Sequence, residues 1–164
     1  MPPSVRIAVV DDHPMFVRGL ELLLPEMSDG RIAVVASTGD AASAGGLVRR
    51  SLPDVALVDL HMPPPGGLRA VVAARQADER VRVLAMSSDP DPAAVLGALS
   101  AGASGFLPKS SEPADLLQVL LAAVDGWVVL PEVVLSALAG EDGRVVRRAP
   151  ARAGRSRWRC RPMR

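Results

Sequence analysis

The chain has 164 residues, a formal net charge of +1 and 49% apolar residues, which is room for one ordinary domain and a remnant but not for two. No apolar run approaches the roughly 20 residues of a membrane span, and the start "MPPSVRIAVVDD" lacks the basic leader and long apolar stretch of a signal peptide. The single cysteine, Cys160, excludes an internal disulfide framework and a cysteine metal cage, so a cytoplasmic protein without membrane contacts is expected.

Taken in chain order, "VRIAVV" from Val5 is a short β-branched run ending at Asp11, the pattern of a buried strand. "HPMFVRGLELLLPEM" follows with Pro14 near its start and Phe16, Leu20, Leu23 and Leu24 on one helical face. "RIAVVAS" from Arg31 is a second strand, and "DAASAGGLVRRSL" from Asp40 a helix weakened by Gly45 and Gly46. "DVALVDL" is the third strand, and the helix from Gly67 carries Leu68, Val71 and Val72 on one face. "VRVLAMS" from Val81 is the fourth, and the helix after it stops at Gly102. "SGFLPK" from Ser104 is a brief fifth strand, before a helix with Leu117, Leu120, Leu121 and Val124 on one stripe. "WVVLPEVVLSAL", Trp127 to Leu138, reads as a linker with a short helix after Pro131.

Near-continuous apolar strands alternating with helices argue for a parallel sheet covered on both faces. Since crossovers are right-handed, a doubly wound sandwich is the economical topology; in a flavodoxin-like α/β fold, with strand order 2-1-3-4-5, strands one and three are neighbours and strand four lies beside three. Ligands in such sheets sit at the carboxyl ends of the strands. The first strand delivers Asp11 and Asp12 there, the third Asp59, the fourth Ser87 and Ser88, and the fifth Lys109, the one lysine of the chain. Three close carboxylates repel one another unless a cation intervenes, and Mg²⁺ with oxygen ligands suits them best. Asp59 could then act as a carboxylate nucleophile toward a phosphoryl donor, with Lys109 and Ser87 contacting phosphate oxygens.

The motifs "VVDDHPMFVRGL", "PDVALVDLHMP", "LAMSSD" and "AGASGFLPKS", in this order and spacing, resemble the receiver domain of a two-component response regulator, most closely the NarL/FixJ type. The resemblance covers Val5 to Gly126, about three quarters of the chain, and implies a CheY-like fold. It implies that Asp59 is the phosphoacceptor and that Asp11, Asp12, Asp59 and the backbone carbonyl of His61 hold Mg²⁺. Ser87 takes the place of the switch hydroxyl, Lys109 that of the invariant lysine, and Phe106 that of the aromatic switch residue. A sensor histidine kinase is the implied donor, transcriptional control the implied output, and homodimerisation through the face of the last two receiver helices the implied readout. Such a domain accepts a phosphoryl group without being a turnover enzyme. Two departures stand out. Pro64 and Pro65 precede Gly66 and Gly67 in the loop after Asp59 and stiffen it. Only 21 residues follow Gly143, where a three-helix DNA-binding output unit needs about 40 or more; DNA binding is therefore not expected of this chain.

Taken singly, each of these residues has a structural explanation. Asp11 or Asp12 could cap the helix begun at Pro14, Ser87 and Ser88 could be turn hydroxyls, Lys109 solvated surface and Phe106 core. His13 and His61 lie beside the aspartates, but side chains at a strand end point apart, so a transition-metal site is not expected. The joint pattern accounts for all the positions together. The expected organisation is a receiver domain over 1–126, a linker over 127–143 and a basic, unstructured tail over 144–164. That tail holds nine arginines and no acid, whereas 1–143 hold ten basic and eighteen acidic side chains. It reads as an arm for nonspecific phosphate contacts, as a solvated tail, or, the favoured reading for an Arg, Ala, Pro and Gly mixture, as the product of a shifted reading frame that replaced an output domain. Rival functions are a stand-alone receiver serving as phosphate sink or dimerisation competitor, a Mg²⁺-dependent phosphatase with Asp59 as nucleophile, and an interaction module working through its tail. The phosphatase ordinarily needs a second acid or base two residues after its nucleophile, where this chain has His61.

Overall fold

The computed structural model describes residues 4–89 and 91–139. The expected basic tail over 144–164 and the last four residues of the expected linker lie outside them. Five strands, β1 (Val5–Val10), β2 (Ile32–Thr38), β3 (Val55–Asp59), β4 (Arg82–Ser87) and β5 (Gly105–Pro108), form one sheet in the order β2-β1-β3-β4-β5. All neighbours are parallel, as the apolar strands and intervening helices require. The helices are α1 (Pro14–Met27), α2 (Ala44–Ser51, entered through a 3-10 turn at Ala41–Ser43), α3 (Gly67–Ala77), α4 (Pro92–Ser100), α5 (Pro113–Val124) and α6 (Glu132–Ala139).

Side chains alternate across each strand and so divide the core into two layers. Ile7, Val9, Val55, Leu57, Leu84 and Met86 point to the face covered by α1 and α5. Ala8, Val10, Ala56, Val58 and Val83 point to the face covered by α2 and α3. Each fully buried Val, Leu, Ile or Met contributes about 1.5–3 kcal/mol, so β3, buried along its whole length, is the best anchored platform for a residue at its end. Proline opens α1, α4 and α5, where its missing N–H is no loss, and the Asp91 carboxylate caps α4 by accepting from the Ala93 N–H at 3.2 Å.

The buried helix faces differ from the expected ones by a small rotation. In α1 the buried residues are Val17, Leu20 and Leu24, with Leu23 39% exposed. In α3 they are Gly67, Ala70, Val71 and Ala74, with Leu68 exposed, and in α5 Leu116, Leu120 and Ala123, with Val124 exposed. In α3 close approach selects the small Gly67, Ala70 and Ala74, whereas α1 and α5 turn a valine and leucines inward. Gly45 in α2 has the same origin, since a Cβ there would stand 3.2 Å from the Ala73 carbonyl of α3.

The segment after α5 returns to the sheet. Val129 forms a parallel bridge with Gly105, the Phe106 N–H donates to the Val129 carbonyl at 2.9 Å, and Arg82 Nη2 donates to the Trp127 carbonyl at 3.2 Å. Val134 of α6 is fully buried in a third apolar cluster with Ala85, Val95, Ala98 and Phe106. The first residues of the expected linker are thus packed against β5 and α4.

Candidate functional site

The carboxyl ends of β1, β3, β4 and β5 converge on one acidic cleft. Asp11 directly follows β1 and is 2% exposed, while Asp59 is the last residue of β3 and 1% exposed. Burial of two carboxylates at neighbouring strand ends demands compensation, and Lys109, just past β5, supplies it. Its Nζ lies 2.7 Å from Asp11 Oδ2 and 2.9 Å from Asp59 Oδ2. The ammonium also stands 4.9 Å from the centre of the Phe16 ring, a cation–π contact that holds the stem against α1. Backbone amides complete the shell. The His13 N–H donates to Asp11 Oδ1 at 2.9 Å and the His61 N–H to Asp59 Oδ1 at 3.0 Å.

One feature of the cleft was not expected. The His13 ring turns inward, its Nδ1 lying 3.0 Å from Asp11 Oδ1, 3.2 Å from Asp12 Oδ1 and 3.5 Å from Asp59 Oδ2. Position 13 caps α1 with extended backbone, and this backbone, invisible in residue order, returns the ring over the strand end. His61 does point away, and its ring reaches Ser87 instead, Nδ1 to Oγ at 3.0 Å.

Ser87 closes β4 and is fully buried. Its hydroxyl donates to the Asp89 carbonyl at 2.8 Å and accepts from the Asp89 N–H at 3.1 Å. The Lys109 N–H donates to the Ser87 carbonyl at 2.9 Å, tying the ends of β4 and β5 together. Phe106 is 1% exposed and sits on the opposite side of β5 from Leu107, in the cluster with Val134. Asp11, Asp12, Asp59 and Lys109 therefore meet in one cleft. Ser87 stands at its rim and Phe106 behind it.

Gly67 explains part of the loop after β3. A Cβ there would collide with the Asp59 carbonyl oxygen and the Leu60 Cα, and would lie 2.8 Å from the Leu60 carbonyl carbon. Only glycine lets α3 start this close behind Asp59, and Gly66, with φ of 87°, makes the turn into it.

The charge balance of the cleft fits a hard divalent cation. One ammonium faces three carboxylates, and ligand atoms of Asp11, Asp12, His13 and Asp59 all lie within 4.8 Å of one another. Asp12 Oδ1 and Asp11 Oδ2 are buried without an aligned hydrogen bond, Lys109 reaching the latter by charge alone. Oxygens in that condition are suited to a metal ion. Among the described residues, no helix is long and apolar enough to cross a membrane.

Comparison with known proteins points the same way. Residues 7–121 match the model of the response regulator receiver domain. A transcriptional regulatory protein of Mycobacterium tuberculosis, NarL, is 38% identical over 140 residues, which are 85% of this chain and 64% of that protein. The nitrate/nitrite response regulator NarP of Escherichia coli is 36% identical over 79% of this chain and 59% of its own. The crystal structure of a LuxR-family two-component response regulator from Aurantimonas sp. SI85-9A1 superposes with a TM-score of 0.75 at 36% identity, covering 85% of this chain and 99% of that one. The chain thus spans about three fifths of the length of the curated relatives it matches.

Proposed function

The chain belongs to the response regulator receiver domain family, and from that premise we propose that Asp59 accepts a phosphoryl group from the phosphohistidine of a sensor kinase. The observation that carries this reading is the Lys109 ammonium bridging Asp11 and Asp59 at 2.7 and 2.9 Å, which sets a buried carboxylate at a strand end beside a positive charge. An Asp59 oxygen attacks phosphorus, the phosphorus–nitrogen bond to the donor imidazole breaks, and that nitrogen takes a proton as it leaves. Asp11, Asp12, Asp59 and the His61 carbonyl would hold the magnesium ion in this reading. When bound, it neutralises phosphoryl oxygens that the carboxylates would otherwise repel. Lys109 turns from Asp59 to a phosphoryl oxygen, and the Ser87 hydroxyl donates to another.

The product is a modified protein rather than a released one, so the domain works as a switch and not as a turnover enzyme. A phosphatase would call on an acid–base group at position 61, where the His61 ring is engaged by Ser87. Signalling would pass from Ser87 through Phe106 to the faces of α4 and α5, with homodimerisation as the readout. The Mycobacterium tuberculosis relative is a transcriptional regulatory protein, and control of transcription is the proposed end of the pathway.

The test is intact-mass spectrometry after incubation with acetyl phosphate and magnesium chloride. A phosphoryl adduct is expected on the wild type and not on Asp59→Asn. An unmodified wild type, or an adduct that survives the substitution, would sink the reading.

A further inference from the structure

We infer that His61 is a positioning residue that holds the Ser87 hydroxyl in a waiting orientation, so that phosphorylation must first detach it; this rests on the reading of Asp59 as phosphoacceptor. A serine hydroxyl has one proton to give and two lone pairs to receive with. In Ser87 all three are engaged. The proton goes to the Asp89 carbonyl at 2.8 Å, and one lone pair accepts from the Asp89 N–H at 3.1 Å. The third partner is His61 Nδ1 at 3.0 Å. The hydroxyl has one proton for two acceptor positions; with it on the nearer one, the Asp89 carbonyl, Nδ1 is the donor of this contact and fills the remaining lone pair. A hydroxyl with every valence filled has nothing to offer a phosphoryl oxygen until it rotates.

Two of the three contacts are local, from a residue two positions along the same loop. The third joins separate parts of the chain, 26 residues apart. His61 is the residue whose backbone N–H donates to Asp59 Oδ1 at 3.0 Å, so one residue touches the nucleophile through its backbone and the hydroxyl through its ring. Rotation of the hydroxyl toward Asp59 gives up the ring contact while leaving the backbone contact in place. The His61 side chain therefore favours the unmodified form. A hydrogen bond of this kind is expected to bias that equilibrium by about three- to tenfold. His61 is an exposed residue, and removal of its ring does not open the core.

Beryllium chloride with sodium fluoride forms a stable phosphoryl mimic on carboxylates, and ¹⁹F NMR of the bound species measures its affinity without turnover. With magnesium in saturating excess, His61→Ala should bind the mimic about three- to tenfold more tightly than wild type. His61→Asn, whose side-chain amide can again donate to Ser87, should return the affinity to within about twofold of wild type. In a Ser87→Ala background, His61→Ala should change nothing, because the hydroxyl it restrains is gone. An affinity unchanged or weakened by His61→Ala overturns the inference, as does a tightening that persists without Ser87. A wild type that binds no mimic overturns the phosphoacceptor reading as well, whereas normal wild-type binding with a silent His61→Ala overturns this inference alone.

Discussion

Replacing Lys109 with methionine removes the one lysine of the chain while keeping a stem that can lie against Phe16, and so isolates the charge. Its Nζ stands 2.7 and 2.9 Å from carboxylates whose side chains are 0% and 1% exposed. Stripping one partner from a fully buried ion pair costs about 3–5 kcal/mol, because the remaining charge is left uncompensated. The Asp12 side chain, 32% exposed, admits water to the cleft, and screening lowers the expectation to about 2 kcal/mol. For a domain of this size that is a fall in Tm of roughly 6–10 °C. The sign reverses with divalent metal. The ammonium and a metal ion compete for the same oxygens, so the variant should bind magnesium more tightly than wild type and gain more stability from it; a ligand at a hundred times its Kd adds about 2.7 kcal/mol. Thermal unfolding followed by circular dichroism, in EDTA and across a magnesium chloride series, reads both effects. A variant melting within about 2 °C of wild type in EDTA, or one with the same magnesium dependence, would refute the account of Lys109 as the resident counter-charge.

Two further substitutions probe the opposite edge of the sheet, at the start of β5 and after α3. In Gly105→Ala the new Cβ would stand 2.7 Å from the Val129 carbonyl oxygen and 3.0 Å from Leu84 Cδ2. We expect a loss of about 1–3 kcal/mol and faster hydrogen exchange at the Phe106 amide, with unchanged exchange ruling out the packed bridge. Asp78 is held below the usual carboxylate range, first by the Arg80 side chain and then by the Arg80 N–H. A depressed folded-state pKa gives stability that is present above the unfolded value and lost as pH falls through the lowered one. Asp78→Asn should therefore flatten the acid limb of a urea-denaturation series between about pH 5 and pH 2, and a limb as steep as wild type would contradict this.

The strand ends and the meeting of Asp11, Asp12, Asp59 and Lys109 were legible in the sequence because each residue stands where an apolar run stops, and the strand order because strand–helix alternation suits a doubly wound sheet. A run buried on both faces stops where the sheet meets its ligand edge, so the residue after it is placed by topology alone. The helix faces were less legible. Ala70 and Ala74 face inward where Leu68 does not, because close approach selects size as well as hydropathy, whereas Val17 and Leu116 are buried through a rotation that residue type alone does not specify. His13 and His61 were harder still. Their ring directions depend on an extended cap residue and on a loop turned by Gly66, which are backbone angles that residue types only weakly specify. The docking of Val129 beside β5 had one trace, Gly105, whose lack of a side chain signals a close neighbour without saying which segment supplies it.

That docking bears on where this molecule can be cut. A fragment ending at Gly126, where the helical pattern of the receiver runs out, would lose the acceptor for the Phe106 N–H and uncover the apolar socket that Val134 fills. Strand β5 would become an open rim, with hydrogen-bonding groups free to recruit a strand from another copy. Fragments carried through α6 should stay monodisperse at concentrations where the shorter ones self-associate.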